Sequence, residues 1–340
     1  MRRSLKSAFG LLLLAGMVAP LRAQDAPQSP QSSSPTSAIR VSSNLVYVGV
    51  NVTGSGGQFI SGLRRQDFEI FDDGVRQPIA EFASDEDPAQ VVLLIENSSI
   101  DWLMAKMHRS LLVDADALVA GIPSQDRVAI LTYSRRTEVV SGFTSDKDAT
   151  RLALKQLNDD LEHGGAVSGS LDLSSSLDAT LDWLSTTRGG KTIVLFSSGF
   201  DSTPPAEWQR IHQRLASSDV RVLAISVFGD LRVPEKRKHL SQDDRDDRAF
   251  VQQGIAAGDD SLRQLSVSTG GQVFFPKDIK NFDRACSRVS QLIRGQYTLA
   301  FVPTSFDGQF HSIDVKLKHH YFASHAVEHR QGYLAAPPSN

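Results

Sequence analysis

The stretch VVLLIENSSI, residues 91–100, decides the fold class of this chain. Its apolar residues run without interruption, as in a β-strand that is buried on both faces of a parallel sheet. The run ends in a polar cluster that begins with Glu96, Asn97, Ser98 and Ser99, where such a strand would emerge at the edge of the sheet. The question is whether these polar residues form a metal site or only the end of a strand.

Downstream of this strand, apolar strands alternate with helical patterns. DRVAILTYS and KTIVLFSS have the pattern of strands, and LDLSSSLDATLDWLSTT has the apolar spacing of a helix. This alternation predicts an α/β domain, with a doubly wound, mostly parallel sheet that helices cover on both faces. TEVVSGFT follows its neighbour directly after Arg135 and Arg136, so this pair of strands must be antiparallel. Residues 229–258 are densely charged and predict a surface insertion in this domain.

Segments with strand patterns flank the α/β domain on both sides. In residues 40–87, the stretch NLVYVGVNV alternates apolar with other residues, and Asp73-Gly74 is a hairpin signal. Residues 295–336 return to strand patterns. Neither flank has enough strands for a stable sheet of its own. We therefore expect both flanks to join in one small β-sandwich, with the α/β domain, residues 88–294, inserted between them.

The first residues have the pattern of an export signal. Residues 1–23 begin with basic side chains, continue with the apolar run AFGLLLLAGMVAP and end in the small residue Ala23. This pattern predicts a cleavable signal peptide, with an uncleaved anchor as the alternative. Residues 24–39 are rich in Pro, Ser and Gln and predict a disordered linker. We expect an exported protein, in the bacterial periplasm or outside the cell, with no membrane span after cleavage.

Composition and motifs exclude several classes of function. The formal net charge of -3 over 340 residues argues against a nucleic-acid-binding protein. The single cysteine, Cys286, excludes an intramolecular disulfide and a cysteine-based metal site. The sequence contains no nucleophile elbow, no phosphate-binding loop and no His-Glu-x-x-His motif, so we do not expect an enzyme. An α/β serine hydrolase is kept as a third alternative.

Several segments together resemble the von Willebrand factor type A (VWA) domain, and within it the VWFA-related family described from acidobacterial proteins. The N-terminal segment of that family is similar to GLRRQDFEIFDDGVRQPIAEF, and its first VWA strand and metal loop are similar to VVLLIENSS. Its late Thr-Gly-Gly turn is similar to STGGQVFF, and its closing strands are similar to GQYTLAFVPT and GYLAAP. The resemblance covers about residues 40–336. It implies a non-enzymatic adhesion or interaction module, which binds a protein or cell-surface partner through loops at the top of the sheet.

The resemblance also implies a metal site, of which this sequence keeps only part. VWA domains bind a divalent ion through Asp-x-Ser-x-Ser in one loop, Thr in a second and Asp in a third, and such oxygen ligands suit Mg²⁺, Ca²⁺ or Mn²⁺. Here Glu96 replaces the first Asp, Ser98 is retained and Ile100 replaces the second Ser. Ala166 replaces the Thr, and Ser198 replaces the last Asp. We therefore expect a degenerate metal site.

The predicted binding surface consists of polar residues in these three loops. We expect no required cofactor and at most weak Mg²⁺ or Ca²⁺ binding, with Glu96, Ser98 and Ser170 as vestigial ligands. The candidate partner-binding residues are Glu96, Asn97, Ser98, Ser99, Ser168, Ser170, Ser198 and Asp201. Two hypotheses stay open: docking of a partner without metal, and metal-dependent adhesion of the ordinary VWA type. For the serines, capping of helices and loops is the structural alternative.

Overall fold

The structure is a computed structural model. It describes residues 45–56, 58–84, 88–97, 117–160, 170–229, 242–293, 296–318 and 325–335. The predicted signal peptide, residues 1–23, and the predicted linker, residues 24–39, lie outside these ranges. Within the described ranges, no helix combines the length and the apolar character that crossing a membrane requires.

Strands and helices follow the order that the sequence pattern predicts. The strands are β1 (Val46–Thr53), β2 (Phe68–Asp72), β3 (Val75–Gln77), β4 (Glu81–Ala83), β5 (Gln90–Glu96), β6 (Arg127–Tyr133), β7 (Thr137–Thr144), β8 (Lys191–Ser197), β9 (Val220–Ser226), β10 (Val273–Phe274), β11 (Tyr297–Phe301), β12 (Phe310–Leu317), β13 (Ala326–His329) and β14 (Gly332–Leu334). The helices are α1 (Lys147–Asp160), α2 (Leu173–Ser185), α3 (Pro205–Ala216), α4 (Gln242–Ser268) and α5 (Ile279–Ile293). Residues 117–121 are also helical.

The central sheet has the strand order β10-β9-β8-β5-β6-β7. Its strands are parallel except β7, which pairs with β6 in the antiparallel direction, as predicted. Counted from β5 along the chain, the strands lie in the order 3-2-1-4-5-6 of a doubly wound α/β sheet. The order reverses between β5 and β8. The carboxyl ends of these two strands therefore flank the topological switch point, where ligands of such sheets bind.

Helices cover both faces of the central sheet. Every residue of β5, β8 and β9 is buried, as their uninterrupted apolar sequences predicted. Helices α1 and α5 supply apolar side chains to the core on one face, and α2 and α3 to the core on the other. The long helix α4 contributes to both cores. The prediction of an α/β domain with a mostly parallel sheet is confirmed.

The flanking strands combine in two small antiparallel sheets, with the orders β13-β1-β11-β4 and β14-β12-β2-β3. In the first, Val48 on β1 lies opposite Leu299 on β11. In the second, Ile70 on β2 lies opposite Val315 on β12. These side chains belong to one hydrophobic core that both sheets share. Each sheet contains strands from both flanks, so neither flank can form its sheet alone.

The hairpin signal Asp73-Gly74 connects β2 to β3. Both residues have positive φ, 47° at Asp73 and 79° at Gly74. A two-residue hairpin turn with positive φ at both positions favours Asp-Gly, because Asp tolerates the left-handed region and Gly adopts it without strain. The predicted hairpin is therefore confirmed.

Part of residues 229–258, which are predicted to be a charged surface insertion, is helical in the structure. Their charge predicts a surface insertion, but residues 242–258 form the first part of helix α4. Ile255 is buried against the central sheet, whereas Phe250 is exposed. A helix needs only a narrow apolar stripe to pack against a sheet. The many charged residues of this segment hide that stripe in the sequence.

Candidate functional site

Loops from several strands meet at the carboxyl edge of the central sheet, which is the top edge predicted above. After β6, the Ser134 carbonyl accepts a hydrogen bond from the Asp172 N–H at 2.8 Å. After β8, the Ser202 N–H donates to the Leu171 carbonyl at 2.9 Å. The loops that follow β6 and β8 are therefore tied to the segment that begins α2.

Glu96 ends β5 at the switch point and is only 1% exposed. Its Oε2 atom lies within hydrogen-bonding distance of the Tyr133 hydroxyl (3.0 Å), the Ser197 hydroxyl (3.3 Å), and the Ser198 N–H (2.7 Å) and hydroxyl (2.8 Å). These donors replace the water that the carboxylate loses on burial. Glu96 thereby joins the ends of β5, β6 and β8 in one cluster, which we call the Glu96 cluster.

Tyr133 and Ser197 are members of this cluster that sequence reasoning missed. The two hydroxyls lie 2.7 Å apart. Burial, together with the negative charge of Glu96, raises the pKa of Tyr133 well above its ordinary value. The phenol therefore stays neutral and serves as a donor to the carboxylate. A signal in the sequence could have identified both residues. Each places a hydroxyl group at the carboxyl end of an apolar strand, at the same edge of the sheet as Glu96.

The Glu96 cluster brings together Glu96 and Ser198, two residues that the sequence resemblance singles out. Ser198 donates to the Glu96 carboxylate through both its backbone N–H and its hydroxyl. Ser198 is fully buried. A hard divalent ion needs several oxygen acceptors, preferably charged ones. Among the described residues, the Oε2 atom of Glu96 is surrounded by hydrogen-bond donors.

A second polar cluster surrounds the start of helix α2. Asp172 is the N-cap, and its Oδ1 accepts from the Ser175 N–H at 2.9 Å. Asp201 accepts from the Ser174 N–H at 3.0 Å and from the Thr203 N–H at 2.9 Å. The Thr203 hydroxyl contacts both carboxylates. The positive end of α2 stabilises these two charges, so Asp201 is engaged at the helix start and not in the Glu96 cluster.

The predicted site residues fall into three groups. Glu96 and Ser198 are buried, so their side chains are not exposed to a partner. Ser170 is exposed, and Asn97 and Asp201 are half-buried. Ser98, Ser99 and Ser168 lie outside the described residues. Asp172, Ser174 and Thr203 are neighbours of Asp201 that sequence reasoning did not identify.

Close backbone contact fixes the loop that carries Ser198. Gly199 has a φ of +76°, and a Cβ atom there would lie 2.1 Å from the Gly258 carbonyl oxygen. A Cβ atom on Gly258 would lie 2.2 Å from the Ser198 carbonyl oxygen. Only glycine allows two backbones to approach this closely. Helix α4 therefore packs directly on the switch-point loop and holds Ser198 against Glu96.

Replacing Gly258 with alanine should destabilise the protein. Alanine favours a helix over glycine by about 1 kcal/mol, but overlap with a backbone atom costs about 1–3 kcal/mol. We expect Gly258→Ala to lower the midpoint of urea unfolding. Gly254→Ala is the matched control in the same helix, because its Cβ would meet only a Phe200 ring atom at 3.1 Å. The control should leave the midpoint unchanged or raise it, and equal effects of the two variants would contradict the backbone contact.

Comparison with known proteins adds structural similarities only. No protein-family model and no curated protein matches this sequence. Similar solved structures include a von Willebrand factor type A structure from Catenulispora acidiphila, with 11% identity and a TM-score of 0.45, covering 88% of this chain and 76% of that chain. BatB from Bacteroides thetaiotaomicron has 11% identity and a TM-score of 0.44, covering 60% of this chain and 98% of that chain.

A third similar structure is the manganese-loaded TRAP protein of Plasmodium vivax, with 10% identity and a TM-score of 0.41, covering 80% of this chain and all of that chain. At these identities and TM-scores, the similarities carry no argument about function. The fold rests on the strand order and registers of this chain. These describe an α/β domain with a mostly parallel central sheet, joined to two small antiparallel sheets built from its flanks.

Proposed function

We propose that this protein is an exported, non-enzymatic interaction or adhesion module of the VWA type, specifically of the VWFA-related family. It binds a protein or cell-surface partner through the loops at the carboxyl edge of its central sheet. The observation that carries this proposal is the strand order, because these loops surround the switch point at which open α/β sheets bind ligands. The resemblance of several sequence segments supports the family, and the signal-like residues 1–23 support export to the periplasm or the exterior.

The same proposal includes binding that does not depend on a metal ion at Glu96. Its support is the Glu96 cluster, in which Ser198 and Tyr133 already donate to the carboxylate. An ion at this position would have to displace these donors. It would also lack a second carboxylate, because the residue at position 198 is Ser and not Asp. The alternative is metal-dependent adhesion through Glu96, Ser98 and Ser170, and it requires the cluster to open.

The polar and charged side chains at the carboxyl edge of the central sheet suit recognition of a protein. Ser170, Arg135 and Arg136 are exposed, and Asp172 and Asp201 are half-buried. Charges of both signs at the rim of an interface set the orientation and the rate of association. The Ser197 and Ser198 hydroxyls contact a carboxylate and a phenol, which differs from the serine–histidine pair of a serine hydrolase. This arrangement supports binding over catalysis.

The test is capture of a partner from the cell envelope of the source organism by the purified protein. Ser170→Lys puts a long charged side chain at the carboxyl edge and should reduce capture about tenfold, which corresponds to roughly 1.4 kcal/mol of binding free energy. Ser217→Lys is the matched control, because Ser217 is also exposed but follows α3 at the opposite edge of the sheet. This control should capture as much partner as the unmodified protein.

Chelation separates the two binding hypotheses. Capture that persists in chelator supports binding without metal, and capture that requires Mg²⁺ or Ca²⁺ supports the ordinary VWA mechanism. Equal losses in Ser170→Lys and Ser217→Lys would contradict a site at the carboxyl edge. Covalent labelling by a fluorophosphonate would contradict the non-enzymatic assignment.

A further inference from the structure

A separate cluster of titratable side chains lies in the antiparallel sheet β14-β12-β2-β3. Asp72 ends β2, Asp73 lies in the hairpin turn, and His311 lies on β12. One ligand atom from each of these three residues lies within 4.8 Å of the other two. The cluster therefore joins side chains from both flanks of the chain, and none of its residues belongs to the central sheet.

Asp72 has a buried oxygen that the protein leaves without a donor. Its side chain is 2% exposed. Oδ2 accepts a hydrogen bond from the Tyr333 hydroxyl at 3.0 Å. Oδ1 is buried, and none of the residues that the structure describes donates a hydrogen bond to it. This oxygen lies 3.9 Å from Nδ1 of His311. A buried carboxylate oxygen is unfavourable unless a donor or a cation lies beside it.

His311 has the surroundings of a metal-binding histidine. Its Nε2 lies 3.1 Å from Oδ1 of Asp307, and its Nδ1 faces Asp73 and Asp72. The Tyr333 ring stacks on the imidazole at a centroid distance of 5.4 Å and restricts its plane. Histidines that bind metals commonly donate their other N–H to a carboxylate, which orients the ring and raises its basicity. Asp307 is in position to accept that N–H while Nδ1 binds an ion.

The distances among the three candidate ligands fit one ion. Nδ1 of His311 lies 2.8 Å from Oδ2 of Asp73 and 3.9 Å from Oδ1 of Asp72. Two tetrahedral ligands with bonds of about 2.0–2.1 Å are about 3.3 Å apart. The two observed distances lie on either side of that value. The Asp73 side chain is 53% exposed in its turn, so an ion can enter from solvent. Its Oδ1 accepts from the Ser312 N–H at 2.8 Å and from the Ser312 hydroxyl at 2.9 Å, which orients Oδ2 towards His311.

We propose that Asp72, Asp73 and His311 bind one divalent transition-metal ion of the Zn²⁺ or Mn²⁺ class. Asp307 and Tyr333 are positioning residues, and water fills the remaining coordination positions. One imidazole with two carboxylates suits these ions better than Mg²⁺ or Ca²⁺, which prefer oxygen ligands alone. The ion cross-links β2 of one flank to β12 of the other, so its binding stabilises the joined sheets. This site does not depend on the function proposed for the carboxyl edge.

The test is titration of the purified, tag-free protein with Zn²⁺, followed by calorimetry and thermal unfolding. Hydrogen bonds to Asp307 and Asp73 raise the pKa of His311, so the ion competes with a proton and the titration belongs at mildly alkaline pH. We expect one Zn²⁺ per chain and a higher Tm, with no comparable shift in Mg²⁺. Co²⁺ used as a spectroscopic probe should show the absorption of a site with a nitrogen ligand.

Variants assign the ion to this cluster. Asp72→Asn keeps the side-chain shape and an acceptor for Tyr333, and both Asp72→Asn and His311→Gln should weaken Zn²⁺ binding at least tenfold. Asp307→Asn should weaken it about tenfold, the usual effect of losing a partner of a metal-binding histidine. Asp314→Asn is the control on β12. The Asp314 side chain is 52% exposed, which matches the 53% exposure of Asp73. The control should bind Zn²⁺ like the unmodified protein.

Two results would overturn the proposal. The first is a folded, unmodified protein that binds no Zn²⁺ or binds Mg²⁺ equally well. The second is stoichiometric Zn²⁺ binding that survives Asp72→Asn, which places the ion elsewhere in the chain. Circular dichroism establishes that each variant is folded, and the isosteric Asp72→Asn decides the outcome if His311→Gln does not fold. Asp72→Asn also distinguishes the metal-site proposal from the proposed function of the carboxyl edge, because this variant should leave partner capture unchanged.

Discussion

Glu96→Ala should lower the free energy of unfolding by about 3–5 kcal/mol, because it leaves several buried donors without their acceptor at about 1–3 kcal/mol each. The truncation leaves the Tyr133, Ser197 and Ser198 donors buried without their shared acceptor. These donors lie at the carboxyl ends of β6 and β8, on either side of β5, and all three residues are buried, so solvent cannot replace the lost acceptor. Urea unfolding followed by circular dichroism in chelator measures the loss.

Two further variants and the chelator make this result decisive. Glu138→Ala is the control, because Glu138 on β7 has a side chain 57% exposed and should change stability by less than about 0.5 kcal/mol. Glu96→Gln keeps one acceptor oxygen, so its loss in free energy of unfolding should lie between the losses of Glu96→Ala and Glu138→Ala. A large loss without any divalent ion identifies Glu96 as a structural carboxylate. The contrary result would be a Glu96→Ala variant that loses no more stability than the control in chelator but loses stability, relative to the unmodified protein, when Mg²⁺ is present. That result would identify Glu96 as a metal ligand.

Tyr297→Ala should also lower the free energy of unfolding by about 3–5 kcal/mol, as for other buried aromatic residues truncated to alanine. Tyr297 on β11 is fully buried in the core that the two small sheets share. Its ring packs against Phe59, Phe68 and Phe82, with centroid distances of 5.1–6.1 Å. The truncation therefore removes a contact between the two flanks and leaves a cavity.

The hydroxyl of Tyr297 contributes separately. It accepts from the Leu63 N–H at 3.0 Å and donates to the Ile60 carbonyl at 2.8 Å. Tyr297→Phe keeps the ring and should lower the free energy of unfolding by about 1–2 kcal/mol, because the Leu63 N–H and the Ile60 carbonyl lose their partner. Tyr47→Phe is the matched control, since its hydroxyl donates to Glu81 in an exposed position. If Tyr297→Ala were as mild as Tyr47→Phe, the shared core would not stabilise the flanks.

The local elements of the fold could be predicted from the sequence because each depends on neighbouring residues. The uninterrupted apolar run of β5 requires burial on both faces of a sheet. The short link through Arg135 and Arg136 leaves β7 no room for a parallel crossover. Asp73 and Gly74 suit the positive φ values of the hairpin turn. The pattern also placed Glu96 and Ser198 correctly at the carboxyl edge of the sheet.

Which polar atoms come into contact depends on strand pairing, which brings together residues far apart in the sequence. Glu96 and Ser198 are 102 positions apart, and the alignment of β5 with β8 determines that the carboxylate reaches the Ser198 N–H. The same holds for Asp73 and His311, which are 238 positions apart and meet because β2 pairs with β12. Periodicity assigns a residue to a face or an edge, but hydrogen bonds and metal coordination require contacts of a few ångströms. The amino-acid pattern is enough to predict the α/β architecture and the candidate edge, because both depend on local periodicity, whereas strand pairing and helix packing determine which polar residues are buried there and which are exposed.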